Sequence, residues 1–294
     1  MTGSVALPIS PIFNASRSIG DILVANGRLT EQAAAQILAY QQAQNLHFGD
    51  AAIALKLLTK DDIDFALSQQ YDYAYLNATN TSLSPALLAA YQPFGAVSEN
   101  LRAVRSQLTL RWLGKQPQQN VLAVVSPSKN DGRSFVAANL AIVFAQQGHR
   151  TLLMDADLRA EPHKSQQSLF KLERSLGLSG ILANRAGLEA AQLVPGLPHL
   201  AVLPAGAVPP NPQELLGRLA FGNLLEGASQ QFDIILIDTP AGGDFADAEI
   251  IATRAGHALL VCRNNQTLLP DALHLASRLQ GGGVELIGSV LNDA

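Results

Sequence analysis

Six short, largely apolar runs punctuate the chain at 121–126, 151–154, 200–203, 234–237, 258–261 and 286–291. Runs without polar alternation belong to strands buried on both faces, and the intervals between them are long enough for crossover helices. The pattern predicts an α/β domain, a mostly parallel sheet with helices on both sides. Ligands of such sheets sit beyond the carboxyl ends of the strands, so the residues after each run are the places to look for chemistry. A helix over 135–147 is expected behind the first strand.

The pattern upstream is helical. Residues 1–17 are rich in Pro, Ser and Gly and read as a mobile lead. From Ser18 the apolar positions repeat: Ile19-Gly20-Asp21 returns as Phe48-Gly49-Asp50, Leu29-Thr30 as Leu58-Thr59, Leu38 as Leu67 and Gln41 as Gln70, always 29 residues apart. Thr30 and Thr59 are natural N-caps, the second supported by Asp62 three residues on, so each repeat predicts a short helix, a turn and a longer helix. Gly27 suits a left-handed turn between them, whereas Lys56 at the matching place predicts a strained or altered turn. Signals then weaken, with polar loop material at 77–82 and a short helix expected over 84–91. Tyr71, Tyr73 and Tyr75 alternate with Asp72 and Ala74, a packing pattern that would also suit phosphorylation. The expected organisation is 1–17 lead, 18–95 small helical domain with its linker, and 96–294 α/β domain.

Composition narrows the class without choosing a function. Of 294 residues 48% are hydrophobic and 15% charged, with a net charge of −4, which excludes the disordered and the strongly basic nucleic-acid-binding classes. No apolar stretch approaches the ~20 residues that span a bilayer, and Met1 to Pro11 lacks the basic start and apolar core of a secretion signal. A cytoplasmic protein is expected, reaching a membrane through a partner, because no basic amphipathic helix is evident. The single Cys262 lies in an apolar run and reads as an inert core thiol.

Candidate chemistry gathers after three of the runs. The first is followed by Ser126-Pro127-Ser128-Lys129-Asn130-Asp131-Gly132-Arg133-Ser134, a strand-to-helix loop whose Gly132 near the helix start would aim backbone N–H groups at a phosphate, with Ser134 available to Mg²⁺. Pro127 and Arg133 stand where a strict phosphate loop has glycine and lysine. The second run ends in Asp155-Ala156-Asp157-Leu158-Arg159, two carboxylates on one side of the chain, suited to a metal or a substrate hydroxyl. The fourth ends in Asp238, the position of an acid that holds Mg²⁺ directly or through water.

Taken in this order, these motifs resemble the bacterial tyrosine kinases of capsule and exopolysaccharide synthesis. The stretches from Gly177 to Leu182 and from Gly206 to Leu216 are similar to further segments of that family. Glu99, Arg102 and Arg105, spaced three apart on one helix face, are similar to its oligomerisation motif. The resemblance covers 96–294 and points to the EpsG-like branch. The 29-residue repeats resemble the N-terminal domain of type II secretion and pilus ATPases, versions of which bind cyclic di-GMP, although Ser18 and His47 stand where those carry a basic residue.

The resemblance implies a P-loop NTPase domain that transfers the ATP γ-phosphate to tyrosine. Lys129, Asn130, Asp131, Gly132, Arg133, Ser134 and Phe135 would surround the nucleotide. Ser134, Asp155 and Asp238 would serve Mg²⁺, and Arg133 with Asp155 or Asp157 would be catalytic. A homo-oligomer, a membrane chain-length-determinant (Wzz-like) protein as partner, and recruitment to the inner membrane are implied as well. No tyrosine follows Tyr91 in this sequence, and the expected acceptors are Tyr71, Tyr73, Tyr75, another protein or residues outside the sequence given. The alternatives are a catalytically silent ATP-binding scaffold, responsive to cyclic di-GMP, and a positioning ATPase of the MinD and ParA type. The signature lysine of the positioning ATPases falls at Ser128, with Lys129 one place late.

Overall fold

The computed structural model describes residues 18–70, 76, 83–114, 120–161, 163 and 165–293. Tyr71, Tyr73, Tyr75 and the 77–82 segment lie outside the described residues. The chain forms two compact units, dividing near residue 80.

In the first unit the repeats become two helical hairpins, α1 (Ile19–Ala25) with α2 (Glu31–Gln44), and α3 (Phe48–Ala54) with α4 (Lys60–Gln70). Helix α1 packs on α4 and α2 on α3, so each hairpin completes its core with the other. Ile22, Leu23, Leu29 and Ile37 bury against Ala51, Ala52, Leu58, Ile63 and Ala66. The hairpin turns use the same backbone bonds 29 residues apart: the Gly27 N–H donates to Val24 O and the Arg28 N–H to Leu23 O, as those of Lys56 and Leu57 do to Ile53 O and Ala52 O. Gly27 sits at φ +70° and Lys56 at +56°, so the second turn keeps the first turn's shape and carries the Cβ strain of a left-handed lysine. Thr30 accepts from the Ala33 N–H, and Thr59 forms a reciprocal capping box with Asp62. Arg28 joins the repeats by pairing with Asp62 at 2.8 Å and lying over the Phe65 ring.

The second unit begins before residue 95, which corrects the expected boundary. Helix α5 (Leu88–Tyr91) and the turn before it pack on α7 (Arg133–Gln146), where buried Asn139 accepts from the Ala89 N–H and donates to Ala86 O, and Gln146 donates to Ala89 O. These backbone groups need polar partners once covered, and the amides on an otherwise apolar helix supply them. Helix α6 (Ala96–Arg111) also lies against α7.

Among the described residues, seven strands form one sheet in the order β3-β4-β2-β5-β1-β6-β7: β1 (Val121–Val125), β2 (Thr151–Asp155), β3 (Gln192–Val194), β4 (Leu197–Leu203), β5 (Ile234–Asp238), β6 (His257–Arg263) and β7 (Glu285–Asn292). All six expected strands are present, parallel to their neighbours. The short β3 is antiparallel to β4 and was not legible, because three residues at an edge give no run of buried apolar positions. Strands β1, β2 and β5 are buried along their whole length. Helix α7 is buried nearly all round, which places its first turn rigidly at the carboxyl end of β1.

Candidate active site

A cleft of about 850 Å³ opens at that end of the sheet, a size typical of small-molecule sites. Lys129, Asn130, Asp131, Gly132, Arg133, Ser134 and Phe135 all line it, joined by Asp157, Arg159, Asp244 and an apolar wall that includes Val208, Pro209, Pro210 and Phe245.

The loop that leads into α7 is braced from several directions. Pro127, out of place in a strict phosphate loop, offers its carbonyl to the Gly243 N–H at 2.8 Å, and Ser126 O accepts from Gly242 N–H. The Asp131 carboxylate accepts from Ser128 N–H and from Thr267 Oγ1, both at 2.8 Å, so it holds the loop's shape with its oxygens turned to the protein. Asn292 on β7 donates to Asp131 O. Gly132 takes φ +91°, which favours glycine, and a Cβ there would lie 1.9 Å from Asn292 Nδ2 and displace that side chain. As the N-cap of α7 it offers no side chain to the first-turn amides. A bare helix N-terminus beside a roomy cleft suits an anion such as phosphate.

Below the loop, the Arg133 guanidinium meets two carboxylates, and a third lies beside them. Asp155 and Asp238 are register partners on β2 and β5, and both are buried. Arg133 Nε donates to Asp238 Oδ1 at 3.1 Å, its Nη1 to Ser126 Oγ at 2.9 Å, and its Nη2 reaches Asp157 Oδ2 at 3.4 Å. Burial, then the neighbouring Asp238, pushes Asp155 well above the usual carboxylate range. Burial also raises Asp157, with Arg133 acting in the opposite sense. Asp155 Oδ1 accepts from Asp157 N–H and Oδ2 from Gln166 N–H, which sets it beneath the cleft wall, whereas Asp157 is on the wall. Arg159 pairs with buried Asp247 at 2.6 Å and stacks on Phe245.

Among the described residues no three His, Cys, Asp or Glu side chains form a metal cage by themselves. Mg²⁺ prefers one or two carboxylates completed by water and phosphate oxygens. The surplus of buried acid over one guanidinium, with Ser134 at the cleft, fits such a cation.

Sequence reasoning missed Gln166. It opens the short helix α8 (Gln166–Leu169), is fully buried, and donates from Nε2 to Asp238 Oδ2 at 2.7 Å and to Ser134 O at 3.1 Å. Glu99, Arg102 and Arg105 all lie on α6. Glu99 and Arg102 pair with each other, Arg102 approaches Phe94, and Arg105 donates to Val143 O at 2.8 Å.

No family model matches the chain. The tyrosine-protein kinase YwqD of Bacillus subtilis is 32% identical over 206 residues, covering 70% of this chain and 85% of that protein. This chain belongs to the bacterial tyrosine-protein kinase family. The tyrosine-protein kinase Wzc of Salmonella typhimurium is 35% identical over 207 residues, which cover 70% of this chain and only 28% of Wzc. The solved kinase domain of Escherichia coli ETK superposes with a TM-score of 0.68 at 31% identity, over 74% of this chain and 84% of that one. MinD of Pyrococcus horikoshii with Mg-ADP shares the same α/β P-loop architecture at a TM-score of 0.51 and 26% identity, over 59% and 70% of the two chains. The family's α/β P-loop fold, expected from the apolar runs and the order of motifs, is thus the fold of this chain. No helix among the described residues is long and apolar enough to cross a membrane.

Proposed function

We propose that this protein is an ATP-dependent protein-tyrosine kinase working with Mg²⁺. The observation that supports this reading most is that the Gly132 loop, Arg133 and Asp157 line one cleft, with buried Asp238 bonded to Arg133 directly behind it. The first-turn amides of α7 hold the phosphates, and Arg133 leaves the acids to clamp them. Mg²⁺, when bound, would neutralise phosphate charge, and Ser134 and Asp238 are the residues that would hold it. Asp157 is the base because it faces the cleft, while Asp155 lies beneath and orients it through the Asp157 N–H. Asp157 accepts the proton of the tyrosine hydroxyl, the phenolic oxygen bonds to the γ-phosphorus, and the bond to the β-phosphate oxygen breaks to release ADP. The apolar wall formed by Val208, Pro209, Pro210 and Phe245 offers the incoming ring a dry surface.

A membrane chain-length-determinant protein is the proposed partner, in regulating exopolysaccharide length and export. The protein would be drawn from the cytoplasm to the inner membrane as a homo-oligomer through the face of Glu99, Arg102 and Arg105. The proposed role of unit 18–70 is docking or cyclic di-GMP binding. A second reading, a nucleotide-gated scaffold with little turnover, is favoured by one observation: Arg133 is wedged among the acids, and its planar fork is not a lysine's point charge.

The test is incubation with Mg²⁺ and γ-labelled ATP, with and without a cytoplasmic peptide of the membrane partner, followed by mass spectrometry. Phosphotyrosine on Tyr71, Tyr73, Tyr75 or the peptide is the expected result. ATP binding without transfer under both conditions would replace the kinase with the scaffold.

A further inference from the structure

We propose that Gln166 is a positioning residue of the cation site, tying the acid of β5 to the first turn of α7 and so coupling nucleotide binding to Mg²⁺. The inference rests on the nucleotide-binding reading above and adds a residue to it.

Gln166 bonds to three separate pieces of the site. Its backbone N–H donates to Asp155 Oδ2 on β2 at 2.8 Å, and its side-chain amide donates to Asp238 on β5 and to Ser134 O on α7. It is fully buried, so these bonds are not shared with solvent. Asp238 is consequently held at both oxygens by unlike donors, Oδ1 by the Arg133 guanidinium and Oδ2 by a neutral amide. The two differ in what they can give up. When Arg133 turns to phosphate, Oδ1 is released, while the amide still fixes the plane of the carboxylate and leaves its charge intact. A cationic side chain in place of Gln166 would cancel that charge, and a third acid beside Asp155 and Asp238 would repel it.

A second observation points the same way. Gln166 Oε1 is buried and accepts no hydrogen bond from any of the described residues. An orphaned acceptor is costly in a protein interior and calls for a donor. Beside two buried carboxylates, the water shell of a divalent cation is a fitting source of one. A glutamine needed only for packing would have no use for a polar oxygen here.

The experiment measures ADP binding to the whole chain by calorimetry, once with Mg²⁺ and once with EDTA. Wild type is compared with Gln166→Met, which keeps the shape and loses the amide, and with Gln166→Asn, which keeps an amide too short to bridge. Wild type is expected to bind ADP more tightly with Mg²⁺ than without. In both variants the gain in affinity from Mg²⁺, taken as the ratio of the two measurements, should fall by about tenfold or more, as loss of a partner behind a metal ligand typically does. A folded variant that keeps the full gain overturns the role of Gln166 and leaves the nucleotide site standing. Wild type that binds no ADP under either condition overturns the reading beneath and this inference with it.

Discussion

In the helical unit, Ser18 bonds to Asp21, Thr30 to Ala33 and Thr59 to Asp62, each across three residues. Around the cleft, Gln166 reaches Asp238 across 72 residues, Arg133 reaches it across 105, and Asn292 reaches Asp131 across 161. The first region is built by local rules repeated twice, the second by strands that bring distant side chains to one edge. A change in the first should therefore cost a cap or a turn and little else. A change in the second should register at several places, because Gln166 and Arg133 each serve more than one partner.

The largest expected effect is at Asp238. Asp238→Asn keeps the shape but removes the charge that Arg133, Gln166 and the proposed cation share. Phosphoryl transfer should fall about 100–1000-fold, the scale of losing one preorganised electrostatic group, with circular dichroism unchanged. Equal rates would detach Asp238 from the chemistry.

Next come two glycines of similar φ in unlike surroundings. Gly27→Ala meets nothing within 4 Å among the described residues and should cost only the left-handed backbone penalty, about 1 kcal/mol. Gly132→Ala carries the same penalty and must also displace Asn292, so about 2 kcal/mol or more is expected, together with weaker ADP binding. Urea denaturation of both variants measures the difference, and equal losses would show that the Asn292 brace is slack. Smaller and opposite in sign, Lys56→Gly should stabilise the helical unit by up to about 1 kcal/mol, since glycine bears φ +56° without strain.

The subtlest prediction concerns pH. Asp157 must be ionised to accept a proton, and burial raises its pKa even against Arg133. The value of kcat/KM should therefore rise with pH through a midpoint above the ordinary aspartate value of about 3.9. A midpoint at or below that value would move the base elsewhere.

The same contrast of distances explains what could be read from the sequence. The repeats, their caps and the left-handed Lys56 turn were legible because each signal and its partner lie within one turn of helix. Six strands were legible as apolar runs, and Asp155, Asp157 and Asp238 stood out because they end two of those runs. Gln166 did not. It sits in a polar stretch with no periodicity, and its meaning comes from Asp155, Ser134 and Asp238, which only the sheet order assembles. Residues 83–94 read as linker for a similar reason. The clue lay in Asn139 and Gln146, polar residues on an apolar helix, which needed the backbone of 86–89 as a cover.

A crystal structure of the protein with Mg-ADP tests the central claim most directly. The phosphates should lie against 129–134 at the start of α7, with Arg133 turned from Asp238 to the nucleotide, the cation between Ser134 and Asp238, and Gln166 still bonded to Asp238 Oδ2. Nucleotide bound elsewhere, or an Arg133 still locked between Asp157 and Asp238 with no cation beside them, would contradict the account.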